Sequence, residues 1–243
     1  MSNWQHQELI NQLEDKADDN RRDAVQRLAA IGDGEVIIPL LQMASKEGGT
    51  LWRGTNKGEL LKPDAPESPF VFAHFAVRII LERENCWEDL RKALVFRDAP
   101  VRAEAAWALG HNPFPESESE ANIKALINAL QDPEPAVGLQ VLRSLNTLEL
   151  VNEDMLGSLV GVTDPVYRWT VITSFAKCDL GPRSLGFLVN LLLNKQESAA
   201  LRAVVAEILG ASSDARLVNP LISVLSDESD TVRRAACLAL GEL

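Results

Sequence analysis

Apolar residues return along this chain with the spacing of helices, in blocks broken by short polar turns. Between positions 201 and 225 the pattern is complete. Leu201, Val204, Val205, Ile208 and Leu209 fall at i, i+3, i+4, i+7 and i+8, one face of a helix. Gly210 follows and is expected to end that helix, as glycine commonly does just past a helix terminus. Ser212-Ser213-Asp214 supplies a turn and a cap for the next helix. Leu217, Val218, Leu221, Ile222 and Leu225 make a second stripe, and Asp227-Glu228-Ser229-Asp230 turns into the next block. The same plan fits 101–130, 133–160 and 165–193. No stretch alternates with period two for long enough to predict a strand.

The blocks are copies of one unit. Val232-Arg233-Arg234-Ala235-Ala236-Cys237-Leu238-Ala239-Leu240-Gly241 repeats Val101-Arg102-Ala103-Glu104-Ala105-Ala106-Trp107-Ala108-Leu109-Gly110, and Leu201 to Gly210 is a third copy. Looser copies open at Tyr167-Arg168 and Asn20-Arg21. Alignment on the arginine gives Arg21, Phe72, Arg102, Gly138, Arg168, Arg202 and Arg233. Five of the six steps suit one helical hairpin each, and the first is longer. Self-similarity at such a period predicts an all-α solenoid, here a single array over 1–243 with a non-repeat insertion at about 45–69. The array is expected to hold about six hairpins and a terminal helix.

The phrase Val-Arg-x-x-Ala-Ala-x-Ala-Leu-Gly, preceded by an Asp-rich turn, resembles the HEAT-like repeat of phycobilisome lyases and their relatives. The likeness runs from about Asn20 to Leu243 and is closest over Asp98–Gly110 and Asp227–Gly241. The chain departs from the repeat at Phe72 and Gly138, which hold arginine positions, at Asn146, which holds a glycine position, and after Met43. The resemblance implies a right-handed α-solenoid of HEAT-like helical hairpins. It also implies a choice of roles. The repeat occurs in two-subunit bilin lyases that attach or remove open-chain tetrapyrroles on phycobiliproteins, in factors that aid phycobilisome breakdown, and in bacterial proteins that only bind other proteins.

Composition narrows the choice. Hydrophobic residues are 46% and aromatics 5%, so the core is expected to be Leu, Ile, Val and Ala. With 24 Lys and Arg against 35 Asp and Glu, the net charge is −11. A nucleic-acid groove needs a basic footprint to displace counterions, and no Lys/Arg cluster supplies one. No apolar run approaches the roughly 20 residues that span a bilayer, and no signal pattern opens the chain. Cys86, Cys178 and Cys237 are few and far apart, which suits reduced thiols in the cytoplasm.

Three groups of residues are candidates for a role. Arg102, Arg168, Arg202 and Arg233 recur in register, three of them after turn aspartates Asp98, Asp164 and Asp227; they are expected to form a structural ladder, with a ligand-binding row as the alternative. Second helices place Gln42, Lys92, Asn128, Ser158, Asn190 and Ser223 in one row and Ile38, Glu88, Lys124, Asp154, Gly186 and Asn219 in a neighbouring one. These rows are expected on the concave face, where Lys92, Lys124, Asn128, Asn190, Asn219 and Ser223 are candidate partner contacts or simply a solvated surface. The insertion carries Trp52, Arg53, Lys57 and Leu60, residue types suited to an interface, to a packed cover, or to a disordered loop.

Catalytic chemistry is not visible. His6, His74 and His111 stand apart, and no metal-ligand spacing is present. His111 is expected to complete a helix cap, His74 and Trp107 to pack, and Cys178 to be a scaffold thiol. Tyr167, Arg168 and Trp169 together form the one patch that suits a tetrapyrrole. The expected function is a non-catalytic scaffold that binds a protein partner and needs no cofactor. The rival is a lyase subunit that handles an open-chain tetrapyrrole on a phycobiliprotein.

Overall fold

The computed structural model describes residues 3–47 and 69–243, and every regular element among them is helical. The candidate residues Trp52, Arg53, Lys57 and Leu60 lie outside the described residues. The chain groups into two compact units, Met1–Thr147 and Leu148–Leu243. The first unit holds α1 (Asn3–Gln12), α2 (Asp18–Ile31), α3 (Ile37–Glu47), α4 (Pro69–Glu84), α5 (Trp87–Ala93), α6 (Ala99–His111), α7 (Glu116–Ala129) and α8 (Pro135–Thr147). The second holds α9 (Glu153–Ser158), α10 (Pro165–Ser174), α11 (Pro182–Leu193), α12 (Ala199–Ala211), α13 (Val218–Ser223) and α14 (Asp230–Glu242). Each unit is an all-α stack of helical hairpins, the solenoid architecture that the repeat predicts. None of the described helices is long and apolar enough to cross a membrane.

Local chemistry starts and stops these helices. Asn152, Asp164 and Ser198 cap α9, α10 and α12 by accepting from backbone N–H groups of the first turn. Proline opens α10 and α11 at the position where its missing N–H costs nothing. Asn85, Glu149 and Ser213 reverse the chain in the left-handed region, at φ 53, 58 and 55. Arg83 of α4 donates to the carbonyls of Ala29, Ala30 and Gly32, the unpaired C-terminal end of α2.

The first helices pack directly on one another, and this revises the expected role of the repeat glycines. Gly110 and Gly210 lie inside α6 and α12, one residue short of their ends, and no described glycine has a positive φ. Their task is clearance. A Cβ at Gly110 would sit 2.5 Å from the Ser144 Cβ and 2.7 Å from its Cα. A Cβ at Gly210 would sit 2.6 Å from the Ala239 Cα. The backbones of α6 and α8, and of α12 and α14, approach too closely for any side chain at those points. In α4 the buried Ala76, Val77, Ile80 and Leu81 match Ala105, Ala106, Leu109 and Gly110 of α6. The arginine position of that repeat therefore falls on Ala73, one residue after the expected Phe72.

Candidate protein-binding surface

The arginine row is built into the stack, with partners other than the expected ones. Arg102 donates through Nε and Nη2 to both Asp132 oxygens, at 2.7 and 2.8 Å, and through Nη1 to the carbonyls of Phe96 and Arg97. Arg202 donates to both Asp227 oxygens at 2.9 and 3.2 Å and to the Glu197 carbonyl. Arg168 reaches Glu197 at 2.6 Å and the Val160 carbonyl. Each guanidinium thus fastens its own preceding turn by its carbonyls and the following repeat by a carboxylate. The expected pairing with the preceding aspartate is corrected on this point. Asp164 caps α10 through the N–H groups of Val166 and Tyr167, and the Asp98 side chain caps nothing. Asp227 does join the row, as the carboxylate for Arg202, while its carbonyl accepts from Arg233. A planar fork with five donors suits this double duty. Burial pushes the Asp227 carboxyl up, yet the Ser229 N–H and the Arg202 guanidinium outweigh it and hold the group below its usual range.

The second helices present the polar rows to solvent. Lys92, Lys124, Asn128, Asn190, Asn219 and Ser223 are all exposed. Two of them have internal partners: Lys92 pairs with Glu88 and Asp89 at 3.2 and 3.0 Å, and Ser223 donates to the Pro220 carbonyl. The first unit contributes one such surface. On α7, Glu116, Ser119, Glu120, Ile123, Lys124 and Ile127 recur at helical spacing and line a hollow of about 590 Å³. Ile123 and Ile127 are half-buried there, ringed by two acids and one base. The opposite face of α7 buries Asn122 and Leu126 completely. Arg91 of α5 fixes that face by donating to Glu118 and to the Asn122 Oδ1, both at 2.7 Å. The helix that carries the hollow is thus fastened to α5 from its far side. Sequence spacing found Lys124 but missed Ile123 and Ile127, because their face of α7 reads as ordinary amphipathic core.

Other candidates are placed differently from each other. His74 is buried on α4, with Nε2 2.8 Å from Glu104 Oε2 and its ring 4.2 Å from that of Trp107. Trp107 in turn stacks on His111 at 4.3 Å. His111 Nδ1 is 2.8 Å from the Trp107 carbonyl, the helix-end contact expected of it. Burial pushes the His111 pKa down, assisted by nearby His74 and opposed by the Trp107 carbonyl. The patch proposed around Tyr167 does not assemble. Tyr167 is 3% exposed, and burial raises its hydroxyl to about 12; Arg168 is bound to Glu197, and only Trp169 faces out. Cys178 is half-buried near the Val151 and Ser174 carbonyls, and burial raises its thiol, with Glu153 and Asp179 adding to the shift. A thiol so placed is a poor nucleophile. His6 and the sequence-distant pair Asp33 and Glu35 bring ligand atoms within 4.8 Å of one another. The His6 Nε2 is already 3.2 Å from the Ile31 carbonyl, and exposed carboxylates alone make no ion site.

Residues 185–243, from within α11 to the end of α14, match the family profile described as HEAT repeats. No curated protein matches the chain. Among solved structures the chain is similar to an engineered protein, with 19% identity over 100% of this chain and 96% of that one, at a TM-score of 0.45. It is similar to human deoxyhypusine hydroxylase in complex with glycerol, at 16% identity, 98% and 96% coverage, and a TM-score of 0.42. It is also similar to the complex of CpcE and CpcF of phycocyanin lyase from Nostoc sp. PCC7120, at 17% identity, 98% and 94% coverage, and a TM-score of 0.37. The matched residues 185–243 all lie in the second unit.

Proposed function

We propose that this protein is a non-catalytic cytoplasmic scaffold that binds a protein partner through the exposed faces of its second helices. One observation carries the reading: α7 holds Ile123 and Ile127 half-buried in a hollow rimmed by Glu116, Glu120 and Lys124. An apolar centre with a charged rim is the usual anatomy of a protein contact. Asn128 of the first unit, Asn190 and Asn219 of the second unit, and the insertion residues Trp52, Arg53, Lys57 and Leu60 belong to the same proposed contact set. The reading calls for no cofactor.

The test is affinity capture from the native host with the intact chain and with the double variant Ile123→Asp/Ile127→Asp. Because both residues are half-exposed, the variant should fold and melt normally while partner recovery drops about tenfold or more. Equal recovery by both proteins would refute the α7 surface. Recovery of phycobiliproteins together with bound tetrapyrrole would replace the scaffold reading with that of a lyase subunit.

A further inference from the structure

The second unit carries a different surface, on its first helices. A groove of about 300 Å³ crosses α10, α12 and α14. Ala203 and Ala235 are buried beneath it and Ala200 lines it, and their short side chains leave it hollow. Trp169 stands along it at 40% exposed, and Leu238 at 62%. Two charges also line it, Glu207 of α12 and Arg234 of α14. Among the described residues neither side chain makes a hydrogen bond or an ion pair. That sets Arg234 apart from Arg102, Arg168, Arg202 and Arg233, all of which are bonded within the stack.

We propose that this groove is a twofold interface between two copies of the chain. A twofold contact uses the same patch on both molecules, so the patch must be complementary to itself. This one holds both halves of each match: a projecting leucine and an alanine-floored hollow, a free base and a free acid. Related by a twofold axis, Leu238 of each copy enters the hollow of the other, and Arg234 of each faces Glu207 of the partner subunit. Charge also selects the occupant. Two chains of net charge −11 repel each other over most of their surface. A patch whose acid and base balance is where they can meet. A basic foreign partner would be drawn to the acidic remainder and would gain nothing from a balanced patch.

The patch is small, and small contacts give weak dimers, so the measurement is sedimentation of the intact chain from about 10 to 500 μM in 150 mM salt. A monomer–dimer equilibrium is expected. Glu207→Arg and Arg234→Glu should each weaken it at least about tenfold, since each sets like charges face to face. The double variant Glu207→Arg/Arg234→Glu should restore it, because the swap keeps every cross-axis pair opposite in sign. Leu238→Asp should abolish it. All four variants alter exposed side chains and should keep the parent melting temperature, which separates lost association from lost folding. A chain that stays monomeric throughout the range overturns the proposal. So does a dimer that survives Leu238→Asp and both single swaps, or single swaps that break the dimer without rescue by the double variant.

Discussion

At the scale of single residues, burial ranks the arginines. The side chains of Arg202 and Asp227 are 2% and 4% exposed, whereas those of Arg102 and Asp132 are 13% and 8% exposed. Removing one member of a fully buried pair strands the other charge, at a cost of about 3–5 kcal/mol. Arg202→Ala should therefore lower the unfolding free energy by about that amount in urea denaturation, and Arg102→Ala by less. Equal losses would mean that the carbonyl bonds, common to both arginines, do most of the holding. Tyr167 is the one tyrosine in the chain, so its ionisation can be read by ultraviolet absorbance. Burial raises its pKa to about 12, while an unfolded tyrosine titrates near 10. The folded state thus holds this proton more tightly; the resulting stabilisation is full below about pH 10 and is lost as pH rises toward 12. Tyrosinate absorbance appearing near pH 10 in the folded protein would contradict the burial. For His111 the sign is reversed. Its pKa is lowered by burial, so it favours folding above about pH 6.5 and opposes it as pH falls further. His111→Gln should flatten the melting temperature between pH 5 and 7, and an unchanged slope would show that His111 does not govern this range.

At the scale of the element, the question is what each helix gives its neighbour. Alanine is a better helix former than glycine by about 1 kcal/mol, so Gly210→Ala would stabilise α12 in isolation. Against α14 it forces a Cβ to within 2.6 Å of the Ala239 Cα, and overpacking of that kind costs about 1–3 kcal/mol. The net effect should be a loss in thermal melts; a gain would mean that α14 moves aside freely. Ser213→Gly should act in the opposite direction and stabilise by about 0.5–1 kcal/mol, because Ser213 sits at φ 55, where a Cβ is strained. The helices and their order were legible in the sequence because a 3.6-residue apolar period fixes which face is buried. The glycines were misread because two mechanisms, chain reversal and helix clearance, favour the same residue at nearly the same place. Ser213 performs the reversal three residues later, and nothing in its identity advertises a left-handed conformation. The acid partners of the arginines were misread for a related reason. Asp98 precedes Arg102 by one helical turn, but a side chain on a first helix also reaches the next repeat, and only packing shows that Asp132 lies there. Of the α7 surface only Lys124 follows from repeat register, whereas Ile123 and Ile127 are apolar residues whose exposure depends on what does not cover them.

At the scale of the whole molecule, coupling should be short-ranged. A solenoid repeat touches only its neighbours, so damage at one junction stays near it. In hydrogen exchange, Arg202→Ala should lower protection across α12 and α14 while leaving amides of α6 and α8 unchanged. Loss of protection throughout the chain would indicate a single cooperative core in place of a series of junctions. The charge of the chain works at the same scale. In the proposed scaffold role, a molecule of net charge −11 whose exposed rows are mixed in sign would recognise a neutral partner by local pattern, since its overall field is nearly indifferent among neutral ones.

The ladder has one more consequence, for how such a chain can be lengthened. Arg102, Arg168 and Arg202 each bond a carbonyl of the turn behind and a carboxylate from the turn ahead, as Arg202 does with Glu197 and Asp227. A repeat with such an arginine therefore carries a plug near one end and a socket at the other. A gene segment cut at equivalent points on both sides, whatever its interior, can be duplicated or deleted with every plug still meeting a socket, whereas a cut between Arg202 and Asp227 leaves a buried charge behind. Growth by whole units is the edit this architecture tolerates.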